Sequence, residues 1–286
     1  MESHWVIICK KVDKIRLTSK NLTKACLAEF CGTCIMIIFG CGVIAQVFLG
    51  DHGSKKHGDM ASICWNWGFA VMMGVFFAGG NGSGHINPAI TLAFAVIGRV
   101  PWIRVPLYSI SQLLGAFVGA CVVLLVNWPN IENYTKTNDS GIYTVTTTGS
   151  IFVTNPAASN LHCFMDQIVG TALLTAGALA IVEKRAWEMP RCLHPPMFGF
   201  LVCALVQAYA LNAGCALNPA RDLGPRLVLL CCGWGGSAFT SGNYYFWVPI
   251  VGPYVGAVLG ALLYELTIGI HVTGRRTTTE EGEALE

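Results

Sequence analysis

Six apolar stretches, each about as long as a helix needs to cross a bilayer, alternate with polar segments along this chain. They cover 25–49, 60–78, 105–126, 164–182, 197–213 and 246–270, the last interrupted by Pro249 and Pro253. Between them lie a short polar loop (51–59), a turn (98–104), a long Thr-, Asn- and Gly-rich loop (127–163), a charged connector (183–194) and a Gly/Ser loop (232–245). A basic segment, 1–24, precedes the spans and a hydrophilic tail, 271–286, follows them. Two shorter apolar runs, 90–97 and 223–230, come after the second and fifth spans. Each is preceded by the same triplet, Asn87-Pro88-Ala89 and Asn218-Pro219-Ala220. Pro at a first helical position costs little, because its missing N–H is unpaired there anyway. Asn just before it is a good N-cap. The pattern predicts two half-helices of roughly 15 Å, about half the hydrocarbon thickness.

The two halves repeat. Ala28-Glu29-Phe30-Cys31-Gly32-Thr33 matches Asp166-Gln167-Ile168-Val169-Gly170-Thr171, and each match opens three spans with a half-helix after the second. Three is odd, so the halves are inverted in the membrane, with a site at their interface. We therefore expect an all-α membrane domain over 25–270, built from repeat one (25–126), an outer loop (127–163) and repeat two (164–270). Irregular backbone at the midplane is tolerated only where it is buried in protein or lines a water-filled path. A third triplet, Asn155-Pro156-Ala157, has no apolar run after it and reads as coincidence.

Composition agrees. The 286 residues are 53% hydrophobic and 12% charged, against about 25% charged in soluble domains. Thirty-two glycines suit close helix contact in lipid. A net charge of +2 gives no reason to expect nucleic acid. Trp5 to Cys9 is too short for the apolar core of a cleavable signal. Of the thirteen cysteines, Cys31 and Cys34 form a Cys-x-x-Cys inside a span, where buried thiols are the simpler reading. No nucleophile–base motif, phosphate loop or metal-ligand spacing is present, so we expect no enzyme, no cofactor and no metal.

Lys and Arg set the orientation. With both termini cytoplasmic, the inner segments hold thirteen basic residues, from Lys10, Lys11, Lys14, Arg16, Lys20 and Lys24 through Arg99, Arg104, Lys184, Arg185 and Arg191 to Arg275 and Arg276. The outer loops hold three, Lys55, Lys56 and Lys136. Two glycosylation sequons, at Asn133 and Asn138, then fall in the long outer loop. Arg275-Arg276-Thr277-Thr278 has the look of a kinase site, a pattern common enough to carry little weight.

Two Asn-Pro-Ala boxes in an inverted six-span frame resemble the major intrinsic protein (aquaporin) family over about 24–272. Asp222 after Arg221, then Arg226, and Pro249-Ile250 in the last span resemble its aquaglyceroporin branch. The resemblance implies a homotetramer in the cell membrane, one channel per subunit, passing water and small neutral polyols such as glycerol, with urea expected too. It also implies a narrow filter. By spacing from the boxes, Trp67, Val206, Cys215 and Arg221 map onto it. Val206 departs from the Gly or Ala usual there, and Cys215 from the Phe or Tyr of several glycerol channels.

The residues themselves support these roles unequally. Asn87 and Asn218 can offer amide N–H groups to a path while their oxygens cap backbone; plain capping would explain one box, but two facing boxes favour a path. The half-helix dipoles aim positive ends at the same point and repel cations, protons included. An intramembrane arginine such as Arg221 costs about 2.5–3.5 kcal/mol on insertion scales and usually faces water; an ion pair with Asp222 is the competing reading. Trp67 neighbours Trp65, and one of them could be an interfacial anchor. His85 reads as a structural histidine rather than a pH switch, and Glu29 and Gln167 as acceptors for the segments leading into the half-helices. Three other outcomes stay open: a mainly water-selective channel narrowed by Val206, a gradient-coupled transporter, and a junction protein with a closed path.

Overall fold

The computed structural model describes residues 21–50 and 56–272. The basic residues Lys10 to Lys20, the Trp5 to Cys9 stretch, Lys55 and the Arg275 to Thr278 stretch lie outside the described residues. Among the described residues the chain forms α1 (Asn21–Leu49), α2 (Met60–Gly79), α3 (Pro88–Val96), α4 (Arg104–Asn138), α5 (Asn160–Val182), α6 (Lys184–Trp187), α7 (His194–Ala213), α8 (Pro219–Cys231), α9 (Ser237–Tyr244) and α10 (Val248–Thr267). Six helical segments are long and apolar enough to cross a bilayer: Asn21–Leu49, Met60–Gly79, Arg104–Asn138, Asn160–Val182, Arg191–Ala213 and Ser237–His271.

Local chemistry sets the helix ends. Asp59 and Ser62 form a reciprocal capping box at the start of α2, with Ser62 N donating to Asp59 Oδ1 at 2.9 Å. Gly214, at φ +68°, takes the left-handed position that stops α7. Asn87 and Asn218 cap α3 and α8, with Pro88 and Pro219 next in line.

Three elements differ from the sequence expectation. The third span does not end near 126: α4 runs on to Asn138 through Pro129, so the long loop shortens to 139–159. Polar residues end the apolar run there without ending the helix. Ile131 and Thr135, four apart, stay fully buried, and Tyr134 packs on Phe48 with ring centres 4.8 Å apart. Asn133 and Asn138 are thus exposed on a helix, not in a loop. The half-helices are unequal. The first has nine residues and the second thirteen, about 14 and 20 Å at 1.5 Å per residue. The Gly/Ser loop contains α9, which is irregular at Ser241 to Asn243.

The two halves meet through small residues. A Cβ built on Gly68 would lie 2.6 Å from the Gly199 carbonyl oxygen, and one built on Gly199 would lie 2.9 Å from that of Gly68. That reciprocity puts α2 against α7 at the centre of the repeat. Gly115 and Gly119 bring α4 onto the backbone of α1 at Phe30 and Cys34; Gly256 and Gly260 bring α10 onto α5 at Ile168 and Ala172. Such close approach needs residues without side chains. Large apolar side chains such as Leu125 and Leu211, 78% and 85% exposed, cover the outside, as the surface of a membrane protein requires.

Candidate functional site

The half-helices meet head to head. Asn87 Oδ1 accepts from Ala89 N at 2.9 Å, and Asn218 Oδ1 accepts from Ala220 N at 3.0 Å. The amide nitrogens cross over: Asn87 Nδ2 donates to the Leu217 carbonyl and Asn218 Nδ2 to the Ile86 carbonyl, both at 2.8 Å. Each NH₂ group has two donors, so one N–H per asparagine remains for a solute. The residue whose carbonyl accepts is strained in each case. Ile86 sits at φ +44° and Leu217 at φ +52°, a region that residues other than glycine seldom occupy and that is costly for a β-branched one.

Buried polar groups hold these strained segments. Glu29 accepts from His85 N at 2.9 Å, Ile86 N at 2.7 Å and Gln112 Nε2 at 2.8 Å. In repeat two Gln167 Oε1 accepts from Leu217 N at 2.9 Å. His85 Nδ1 lies 3.1 Å from Thr91 Oγ1, and its ring packs on Phe94. Pro88, Ala89, Pro219 and Ala220 are buried in the two helix starts.

A cavity of about 740 Å³ passes this junction, with Asn87 and Asn218 in its wall. Trp67, Val206, Cys215 and Arg221 all line it. Arg221 is 4% exposed and its guanidinium lies 4.5 Å from the Trp67 ring centre. Its Nη1 donates to the Phe152 carbonyl at 2.9 Å. The Cys215 thiol reaches the Leu205 carbonyl at 3.6 Å.

Asp222 and Arg226 do not line the cavity. They form a fully buried ion pair one turn apart in α8. Asp222 Oδ2 also accepts from Thr154 N at 2.8 Å and Thr154 Oγ1 at 2.6 Å. Arg226 donates to the Thr154 and Ala238 carbonyls, both at 2.6 Å. The pair thus fastens the 139–159 loop to α8, and the same loop offers Phe152 to Arg221. Arg221 Nη1 stays 4.0 Å from Asp222, whose oxygens serve Thr154 and Arg226 instead. Pro249 and Ile250 sit in the first turn of α10, away from the cavity.

Sequence reasoning missed Phe152 and Thr154. A backbone carbonyl leaves no trace in sequence, so Phe152 had no signal at all. It also missed the end of the cavity lined by Arg99. There Arg99 Nη2 donates to Glu183 and to Glu265, each at 2.9 Å. Arg185 grips Glu183 from the other side, at 2.7 and 2.9 Å. The Arg185 hydrogen bonds, then those of Arg99, hold the Glu183 carboxyl down at about 2. Glu265 at the end of a span was the available signal, because a lone charge there is expensive.

Comparison with known proteins gives the lineage. Human aquaporin-9 is 41% identical over 90% of this chain and 87% of its own length. Human aquaporin-10 is 38% identical over 87% of this chain and 82% of its own length. The X-ray structure of the aquaglyceroporin from Plasmodium falciparum superposes with a TM-score of 0.79 at 28% identity, covering 88% of this chain and 98% of that one. Residues 16–264 match the family described as Major intrinsic protein. With its paired half-helices, its six membrane-spanning segments and these relatives, the chain belongs to the major intrinsic protein family.

Proposed function

We propose that the protein is a passive channel for water and small neutral polyols such as glycerol, with urea also passing and protons and other ions excluded. One observation carries the reading. The cavity wall joins two asparagine amides, each with a spare N–H, to an arginine lying over an indole. A polyol has a hydroxyl edge and a carbon edge. Arg221 and the asparagines can donate to the first, and Trp67 can contact the second. An unpaired hydroxyl in a narrow apolar path costs about 1–3 kcal/mol, so such a divided wall favours polyols over wholly apolar or wholly ionic solutes. Trp67, Val206, Cys215 and Arg221 form the selectivity filter in this reading, and Asn87 and Asn218 the central orienting pair. The facing helix N-termini and Arg221 repel cations.

The same reading makes the protein a homotetramer of independent channels in the cell membrane, with both termini cytoplasmic and glycans on Asn133 or Asn138. The names of the relatives, aquaporin and aquaglyceroporin, support the solute class. Stopped-flow light scattering on proteoliposomes tests it. A glycerol gradient should give rapid shrinkage followed by re-swelling, and an impermeant sugar gradient should give shrinkage alone. Shrinkage no faster than in protein-free vesicles would defeat the proposal.

A further inference from the structure

The inner end of the cavity carries an ion cluster that the path itself does not require. Arg99 lines the cavity and reaches both carboxylates through a single nitrogen, Nη2. It follows Gly98, whose φ of +75° turns the chain, and its own N–H donates to the Phe94 carbonyl at 2.9 Å. The backbone of Arg99 is therefore fixed beneath α3, while its long side chain is held at one pivot. Glu183 is itself anchored by the two-pronged Arg185, which also donates to the Gly269 carbonyl at 3.2 Å and the Val272 carbonyl at 3.4 Å. Glu183 and Glu265 are nearly buried, with side chains 5% and 12% exposed, whereas Arg99 is 24% exposed on the cavity side.

The repeat supplies a control. The register that pairs Glu29 with Gln167 pairs Glu183 with Ala45, and the one that pairs Gly115 with Gly256 pairs Glu265 with Leu124. Ala45 and Leu124 are buried and apolar, in one hydrophobic core. The scaffold thus packs the repeat-equivalent positions, Ala45 in α1 and Leu124 in α4, without any charge. Stapling helices does not call for two carboxylates, but holding a guanidinium does. Among the described residues no acidic side chain lines the cavity, so a released Arg99 finds no other carboxylate there.

We infer that Glu183 and Glu265 are positioning residues of the inner mouth: they keep the Arg99 guanidinium against the wall, and without them Arg99 obstructs the path. This rests on the channel reading above. A guanidinium swinging into the lumen narrows it and adds a hydrated charge. Both effects weigh more on a polyol than on water.

The test uses the full chain in proteoliposomes, with flux normalised to reconstituted protein. The double variant Glu183→Gln/Glu265→Gln should lose glycerol flux at least fivefold and water flux by less. Adding Arg99→Ala to it should bring glycerol flux back to the parent level. A merely structural role for the carboxylates would not be rescued by removing their partner. Parent-like flux in the double variant overturns the inference, and so does a triple variant as slow as the double. If the double variant does not reconstitute, Glu265→Gln alone keeps the Glu183 anchor and half of the hold on Arg99; it should lose glycerol flux in the same direction by a smaller factor, rescued by Arg99→Ala, and parent-like flux in it overturns the inference. A parent that conducts no glycerol sinks the channel reading itself, which separates the two failures.

Discussion

The Arg221 guanidinium lies 4.5 Å from the centre of the Trp67 ring, so one donor and one apolar plane share the same stretch of cavity wall. The arginine is held from behind by the Phe152 carbonyl, which leaves its other nitrogens for a solute. Arg221→Ala should therefore weaken the barrier to cations. In planar bilayers under a pH gradient the parent should carry no proton current and the variant a measurable one. A proton current in the parent would remove the basis for ion exclusion.

Val206 lines the same cavity as this pair and adds bulk to the filter in that reading. It is 5% exposed, lines the cavity, and is stiff at χ1, so it cannot easily swing aside. Val206→Gly should raise glycerol flux with a smaller effect on water. Val206→Phe should suppress glycerol and leave some water flux. Identical behaviour of both variants and the parent would show that Val206 does not constrict the path.

Among the twelve cysteines described, all free, Cys215 is the one that lines the cavity beside Trp67 and Arg221. We expect it to be the mercurial-sensitive residue. Cys215→Ser should conduct normally and resist block by mercurials. Undiminished block would shift attention to Cys192, which also lines the cavity.

Removing Asp222 should cost far more stability than a surface change. Asp222→Ala leaves the Arg226 charge buried without its partner, a loss of about 3–5 kcal/mol for a broken buried pair. It also frees Thr154 and with it the loop that supports Arg221. Thermal unfolding in detergent should show a large downward shift. An unchanged melting temperature would mean that the outer loop is held by other contacts, such as the Tyr143–Trp234 ring pair.

Glu183 should make its end of the cavity acid-sensitive. Its carboxyl is depressed from 4.5 to about 2, first by Arg185 and then by Arg99. A depressed carboxyl contributes stability that is present above its unfolded value and lost as pH falls through the window from 4.5 to about 2. The melting temperature of the parent should therefore fall below pH 4.5 more steeply than that of Glu183→Gln. Parallel acid limbs would place the acid sensitivity elsewhere.

What could be read from the chain alone was mostly local. Asn-Pro at a helix start is a cap signal whatever surrounds it, so α3 and α8 were visible, and the repeat of Glu29 with Gln167 gave the inversion. The extension of α4 was not, because polar composition hides a helix whose apolar face is reduced to Ile131 and a back-bonded Thr135. Nor was the purpose of Asp222 and Arg226, whose partner Thr154 lies about seventy residues away in a loop of unremarkable composition. The crossing of the asparagine amides was equally hidden. The spacing showed that both could face one path, not that each would bind the other half's backbone.

That crossing has a consequence for how the protein is made. Asn87 gives its amide to Leu217 and Asn218 to Ile86, so neither half holds a finished site. A ribosome releases the first half into the bilayer well before Leu217 exists. Until then Asn87 has no Leu217 carbonyl to meet, and the strained Ile86 turn is held by Glu29 and by its packing on Gly32 and Gly74. Assembly of the centre is therefore a late event in biogenesis, and a truncated nascent chain should stay dependent on the insertion machinery until the second half-helix arrives.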